Sequence, residues 1–457
     1  MRRTKSRSRG PGAALSLILI AVLVLAGCTA VPAAPGEVAA PAAGEQIQLV
    51  FRQNDPPNEV GDLFERAIAE WNSSHPNIQV TFENVPWAQA QEQYVREVQA
   101  GGGPDVAQMA FVWTRDLAIA DLVMNLDSFI ESAPPGTVDG MESFKEDFLG
   151  YDLGEYEESI YGIPFSVDTF AMGYRPDLFE AAGVTEFPDT WDALFDAAQQ
   201  LTADTDGDGR TDQYGFCFPA GSGPTSGMWF LANYYLWSNG HWFIQEAADG
   251  GWEVGTTPEA VAEAMTYFNN FFAASATPES MIAIDSWGDP EYTSALGRGD
   301  CAILFLPPQA FRAAEGQSEI ALASAPDPQG SVTRISHLGG RTLVINPNTK
   351  HPEAAWAFLQ FLTGQRFYEE YYTGQFPPQK SLLANMTFDA SIQGYADQLP
   401  HAVTFKTYIL APPPVAAMWD ATNREFGAVY SGQKSAEQAG ADLVAEMENL
   451  LTTAQSE

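Results

Sequence analysis

Residues 47–82 read IQLVFRQNDPPNEVGDLFERAIAEWNSSHPNIQVTF, and the reading of this stretch decides the fold. Ile47, Leu49 and Phe51 recur at every second position, the period of a strand with one buried face. Val60, Leu63, Phe64, Ala67, Ile68 and Trp71 then recur at helical spacing along one face. His75-Pro76-Asn77 breaks that helix, and Ile78, Val80 and Phe82 alternate as a second strand. Trp87 opens another helix that ends at Gly101-Gly102-Gly103-Pro104, and Asp105 to Val112 reads as a third strand. Strands and helices alternating at this spacing predict βαβ units around a mainly parallel sheet. The first lobe is therefore expected to be α/β.

The middle of the chain carries more helical pattern. Thr190 is placed to cap a helix that turns Trp191, Leu194, Phe195 and Ala198 inward. Thr257-Pro258 starts another with Val261, Met265, Phe268 and Phe272 on one face. Strand-like runs occur at Tyr214–Phe218, Ala302–Leu306 and Thr342–Ile345, and a helix is expected from Pro352 to Leu362. Amphipathic helices at Pro414–Tyr430 and Ser435–Thr452 close the chain.

The N-terminus has a different character. Arg2, Arg3, Lys5, Arg7 and Arg9 precede an apolar run from Ala13 to Ala26, the build of an export signal. Leu25-Ala26-Gly27-Cys28 resembles the bacterial lipobox, which implies cleavage after residue 27 and acylation of Cys28; the plainer reading is an ordinary secretory signal with an incidental cysteine. Arg2-Arg3 alone does not choose between twin-arginine and general export. Residues 28–46 are rich in Ala and Pro with little to bury, a disordered tether. About 410 residues follow, enough for two or three domains, and no later apolar run reaches the ~18–20 residues of a membrane helix.

Without the five basic leader residues, 17 Lys and Arg face 59 Asp and Glu, a formal balance of −42. Nucleic-acid affinity comes from neutralising phosphates, so that class is excluded as a partner. Neutral or cationic ligands suit the field better than anions. Cys217 and Cys301 each sit in apolar sequence and are either a disulfide or two buried thiols.

A series of short segments, in order, resembles the extracellular solute-binding proteins of ABC importers, of the sugar-binding, maltose-binding-like type. They include Gly103-Pro104-Asp105-Val106, Tyr161-Gly162-Ile163-Pro164, Tyr174-Arg175-Pro176-Asp177-Leu178-Phe179 and Pro188-Asp189-Thr190-Trp191. Gly299-Asp300-Cys301-Ala302-Ile303, Gly339-Gly340, His351-Pro352-Glu353-Ala354-Ala355-Trp356 and Ser435-Ala436-Glu437-Gln438-Ala439 follow. The resemblance spans about Gln46 to Leu451. It implies a two-lobed periplasmic-binding-protein-like fold of type II, with α/β lobes hinged about a ligand cleft. The first lobe would be residues 47–165 and 335–376, and the second 166–334 and 377–457. Crossings between lobes are expected near Phe165–Thr169, Gly330–His337 and Phe376–Ser381. It further implies a saccharide ligand, permease and ATPase subunits as separate chains, attachment to the outer face of the membrane through lipid alone, and a monomer that does no chemistry.

Sugar C–H faces stack on aromatic rings while planar polar groups meet the hydroxyls. Trp71, Trp191 and Trp356 lie on inward helical stripes and are assigned to the core. The resemblance puts stacking aromatics at Trp229 and Trp419. Trp113 is taken to end the third strand at a sheet's carboxyl edge, and Trp287 sits in a loop without core periodicity. Asn54 and Asp55 follow the first strand at the same edge. Asp168, at the first crossing, is either a hydroxyl-binding acid or an exposed hinge acid. Gln309 follows the Ala302–Leu306 strand. Gly340 allows close backbone approach, and Arg341 is either a bidentate ligand donor or an ion-pair partner between lobes.

Asp204-Thr205-Asp206-Gly207-Asp208-Gly209-Arg210-Thr211-Asp212 has the EF-hand-like spacing for a hard cation. Asp204, Asp206, Asp208 and Asp212 supply carboxylates and Arg210 a carbonyl. Gly215 replaces the bidentate Glu at position 12. The loop is either a structural calcium site or a bare acidic turn, and no catalytic cofactor is implied. A secreted carbohydrate-active hydrolase is the competing class, since 59 acids could contain a catalytic pair. No Gly-x-Ser-x-Gly elbow, HExxH or Walker A loop occurs, and the five histidines are isolated in sequence. The same fold with a polyamine or another non-sugar solute is the remaining alternative.

Overall fold

In the computed structural model, β1 (Ile47–Gln53) pairs in parallel with β2 (Ile78–Asn84), and β3 (Val106–Ala110) pairs in parallel with β1 on its other side. The residues described are 46–55, 62–133, 138, 140–223, 226–308, 320–323, 336–371, 376–388, 390–396, 398–399, 402–412 and 415–456. The leader, Cys28 and all of the tether but Gln46 lie outside them, as does Gln309. Every described residue belongs to one unit, Val38–Glu457.

The helix Leu63–Ser74 buries the stripe expected of it, Leu63, Phe64, Ala67, Ile68 and Trp71. Phe51 of β1 meets Phe64 at 5.4 Å and Phe358, from the helix Pro352–Leu362, edge-on at 5.5 Å. Each such ring contributes about 1.5–3 kcal/mol by leaving water, so this face fixes the register of the first sheet. The third strand is shorter than the sequence predicts. It ends at Ala110, and Phe111–Ile119 is helical.

A small hairpin, β4 (Glu155–Tyr156) and β5 (Ser159–Ile160), precedes β6 (Ile163–Asp168). Thr169-Phe170 then carries the chain to β7 (Ala171–Tyr174) in a second sheet. That sheet also contains β8 (Tyr214–Cys217), β11 (Cys301–Leu306) and β12 (Ala321–Ala323), in the order β12-β7-β11-β8. Between β8 and β11 lies a separate hairpin of β9 (Trp242–Glu246) and β10 (Trp252–Gly255). Helices Trp191–Leu201, Met228–Ser238, Pro258–Ala273, Val415–Tyr430 and Ala436–Ser456 build the second core. Thr190 and Thr257 cap two of them by accepting the amides of Ala193 and Ala260.

The return crossing follows Ala323 and is complete within β13 (Ser336–Ile345). Leu338 at its start packs in the second core, and Leu343 and Ile345 at its end pack in the first. β13 runs antiparallel to both β3 and β6, and β14 (Ala402–Thr404) joins its first residues in parallel. The first sheet is thus mixed; only β1, β2 and β3 form the parallel part that the spacing predicts. Around the expected third crossing, 376–381, the packing is interleaved: Phe376, Leu383 and Phe388 pack on the second core, and Leu382 and Met386 on the first. Gln379 donates to Thr363 O, and Ser381 bonds the Asp147 carboxylate. Ile392 and Tyr395 join the second core, the Tyr395 hydroxyl donating to Leu306 O at 3.0 Å.

Cys217 and Cys301 form a disulfide between the neighbouring strands β8 and β11, with 6.0 Å between Cα atoms. It closes a loop across 84 residues of sequence. A cross-link of that span restricts the unfolded chain and contributes about 2–5 kcal/mol. Reduction, or a Cys217→Ala/Cys301→Ala variant, should lower the urea midpoint of the second lobe. Unchanged midpoints with and without dithiothreitol would show that the bond adds nothing.

Candidate binding site

The two chain crossings nearest each other make the floor of a cleft between the sheets. β6 and β13 pair there, with Gly339 opposite Asp168, Gly340 opposite Val167 and Arg341 opposite Ser166. Gly340 has φ +148°, and a Cβ on it would lie 2.1 Å from Ser166 O and 2.8 Å from the Phe111 ring. No side chain fits, so the backbone itself is the floor.

Above it lies a cavity of about 210 Å³ lined from both lobes. Its polar end is an ion cluster. Arg341 donates through Nε (3.0 Å) and Nη2 (2.9 Å) to Asp55 Oδ1, and through Nη1 (3.1 Å) to Asp168 Oδ2. The guanidinium is 14% exposed, against 1% for Asp55 and 6% for Asp168. Gln108 Nε2 donates to Asp55 Oδ2 at 2.7 Å, and the Trp87 ring lies 4.6 Å from the guanidinium carbon.

His337 adds no positive charge. It is buried, its Nδ1 3.0 Å from the Tyr234 hydroxyl and its Nε2 3.8 Å from Asp168 Oδ1. Phe170, Phe230 and Phe405 surround the ring at 4.7–5.3 Å. Burial pushes its pKa down to about 3.

The second lobe supplies most of the aromatic wall, opposite Trp87 and Phe111 of the first. Trp229 and Phe230 open the helix Met228–Ser238, and Trp419 stands in the first turns of Val415–Tyr430. Trp419 Nε1 donates to Ser226 O at 2.8 Å, which fixes its ring. Trp229 is 1% exposed and stacks between Phe243 at 5.7 Å and Phe405 at 5.9 Å, with Trp419 at 6.2 Å. It backs the wall, and the half-buried Trp419 and Phe230 present more of their surface. Trp287 lies edge-on to Phe170 at 5.0 Å, and a Cβ on Gly227 would fall 2.4 Å from its ring. Its indole N–H is buried and has no hydrogen-bond partner among the described residues.

Asp55, Asp168, Trp229, Trp287, Gly340, Arg341 and Trp419, all singled out in the sequence, therefore converge on one cavity. Asp168 is a buried ion-pair partner, not an exposed hinge acid, and Arg341 is ion-paired at the cleft floor. Asn54 and Trp113 do not line the cavity. Asn54 turns away, its Nδ2 donating to Gln108 O at 2.6 Å. Trp113 is displaced because helix begins at Phe111, and its ring packs on Trp87 at 4.6 Å instead. Trp87, Phe170, Phe230, His337 and Phe405 were missed. Trp87 follows β2 at the sheet edge that Asp55 occupies after β1, so the same rule would have found it.

The acidic loop lies elsewhere on the second lobe. The Ala203–Gln213 bridge closes it, and carboxylate oxygens of Asp204, Asp206 and Asp208 lie within 4.8 Å of one another. Asp204 accepts the amides of Gly207, Asp208 and Gly209 at 2.7–3.1 Å. Asp212 turns instead to the amide and hydroxyl of Thr205. At Gly215 a Cβ would sit 1.9 Å from Ala198 O, so no twelfth-position ligand is possible there.

Two hinged α/β lobes, crossed by strands at the base of an aromatic and polar cleft, define a binding protein that closes on a small solute. The bacterial extracellular solute-binding protein family matches residues 54–366, and the chain belongs to it; its members are binding proteins, not enzymes. A binding protein of Brucella abortus is 23% identical over 86% of this chain and 90% of its own length. Among solved structures, the GacH receptor of Streptomyces glaucescens, crystallised unliganded and with acarbose, superposes with TM-score 0.73. It is 21% identical and covers 89% of this chain and 99% of its own. An ABC transporter solute-binding protein of Thermotoga lettingae bound to α-D-tagatose gives TM-score 0.72, 19% identity, and 89% and 100% coverage.

His337 gives this site a pH signature. Its folded-state pKa of about 3 lies below the ordinary histidine value of 6.5, so beneath pH 6.5 the unfolded chain takes a proton that the fold refuses. Stability should fall as pH drops from about 6.5 towards 3, by up to ~1.4 kcal/mol per unit. Between pH 7 and 5, His337→Gln should flatten the unfolding midpoint against pH. Parallel losses in both proteins would contradict a buried neutral imidazole.

Proposed function

We propose that this chain captures a saccharide between its lobes and delivers it to the permease of an ABC importer, whose ATPase is a further separate chain. The observation that carries the reading is the cavity itself, with aromatic walls from the second lobe facing the Asp55–Arg341–Asp168 cluster of the first. Aromatic faces suit sugar C–H surfaces, and carboxylates, a guanidinium and an indole N–H suit hydroxyls. The solved relatives named above hold acarbose and tagatose. A ligand touching both lobes favours the closed state by its differential contacts, the signal a permease can read.

The chain works as a monomer, held to the membrane's outer face by acyl groups on Cys28. The Leu25-Ala26-Gly27-Cys28 motif supports this anchor. The Asp204–Asp212 loop carries a structural calcium ion, supported by its spacing and by the three convergent carboxylates.

Thermal scans of the chain from Glu45, against saccharides, polyamines, amino acids and polyol phosphates, test these assignments. A saccharide at 100 times its Kd adds about 2.7 kcal/mol of stability. Trp419→Ala should weaken that binding at least about tenfold, while Trp113→Ala, outside the cavity, should not. Stabilisation by a polyamine alone would reject the sugar, and recovery of a cleaved saccharide would restore the hydrolase. Calcium should raise the midpoint of the wild type and not of Asp204→Asn/Asp208→Asn. In cells, full-length protein should fractionate with membrane and Cys28→Ala should not; equal membrane retention would refute the lipid anchor.

A further inference from the structure

We propose that the cleft selects short saccharides, of one or two pyranose rings, and that Arg115 sets this limit. The inference rests on the saccharide reading above and adds the length of the ligand to it. The cavity of about 210 Å³, partly open to solvent, is smaller than the roughly 300–1,000 Å³ of sites that hold drug-sized ligands. One side of it is sealed by protein contacts that join the lobes. Phe111 and Val112, at the start of the first-lobe helix Phe111–Ile119, line the cavity, as does Ile409 from the second-lobe helix Lys406–Leu410.

Arg115 lies one turn beyond Phe111 on the same helix. Its Nη1 donates to Ile409 O at 2.5 Å and reaches Ala411 O at 3.5 Å. A guanidinium bonded to main-chain carbonyls makes charge-assisted hydrogen bonds, stronger than neutral ones. The short helix Tyr151–Gly154 packs against Lys406–Leu410 as well, and its Leu153 lines the cavity. The floor is closed at Gly340, where not even a methyl group fits. A third sugar ring has no passage through the floor, and passage between Phe111–Ile119 and Lys406–Leu410 requires breaking the Arg115 bonds. Arg115 is a positioning residue; it shapes the wall without lining the cavity.

Isothermal titration of the mature chain with gluco-, xylo- and arabino-saccharides, from monosaccharide to pentasaccharide, tests the limit. The expected result is binding of a one- or two-ring sugar, with affinity falling at least about tenfold on addition of a third ring. Arg115→Ala should narrow that gap at least about fivefold, and Arg115→Lys, which keeps a donor, should restore part of it. A structural role alone would lower the unfolding midpoint and leave the ratio of trisaccharide to disaccharide affinity unchanged. Tightest binding of a trisaccharide or longer chain by the wild type would overturn the length limit and leave the saccharide reading standing. An unchanged ratio in Arg115→Ala would overturn the role of Arg115. No binding to any member of the three series, with a polyamine or amino acid bound instead, would overturn both readings.

Discussion

The geometry of the cleft depends on the buried ion cluster of Arg341 with Asp55 and Asp168. Each partner comes from a different segment. Asp55 follows β1 by two residues, Asp168 ends β6, and Arg341 lies mid-way along β13. The guanidinium therefore ties the carboxyl edge of the first sheet to both strands that cross between lobes. Burying three charges is costly, and the mutual attraction offsets that cost only with good geometry and satisfied remaining lone pairs. Gln108 supplies the second bond to Asp55, and Gln53 closes the turn by exchanging hydrogen bonds with the Asp55 main chain at 2.6 and 2.8 Å. Such a cluster is weak as a source of stability and strong as a specification of where strands end.

Much of the fold was legible because its signals are local. The stripe from Leu63 to Trp71, the caps at Thr190 and Thr257 and the helix Pro352–Leu362 follow from periodicity and end chemistry, which neighbours in sequence settle among themselves. The run Asp105–Val112 was misjudged past Ala110 because a mostly apolar run fits a buried strand and a buried helix equally. The switch to helix at Phe111 depends on tertiary packing, and it moves Trp113 from the cleft to the flank of Trp87. The segment 376–388 carries no single lobe's pattern either, because neighbouring apolar residues divide between the cores. Leu382 and Met386 face the first, Leu383 and Phe388 the second, while bonds to Asp147 and Thr363 tie it to the first lobe.

The site was legible where position along a strand identifies the cleft edge, as at Asp55, and where a glycine pair marks close backbone approach, as at Gly339-Gly340. His337 and Phe405 could not be found that way. An isolated histidine and an isolated phenylalanine carry no pattern, and their place in the cavity follows from β14 pairing with the first residues of β13. Whether Cys217 and Cys301 pair depends on β8 lying beside β11, a non-local fact that spacing alone does not contain.

The two lobes divide the work of recognition unequally. The first lobe supplies the charged cluster, fixed by strand ends that cannot move without breaking the sheet. The second supplies Phe230, Trp287 and Trp419, mounted on helices and a loop that travel with that lobe as a body. Polar recognition needs fixed directions, so it belongs on the sheet edge, where the backbone defines angles. Aromatic contact is less directional and tolerates approach from a moving wall. On the proposed function, a ligand seated on the Asp55–Arg341–Asp168 end would complete its apolar contacts as the second lobe closes on it. Binding energy and closure are coupled through the same rings, and the extent of closure depends on how much of those rings the ligand covers.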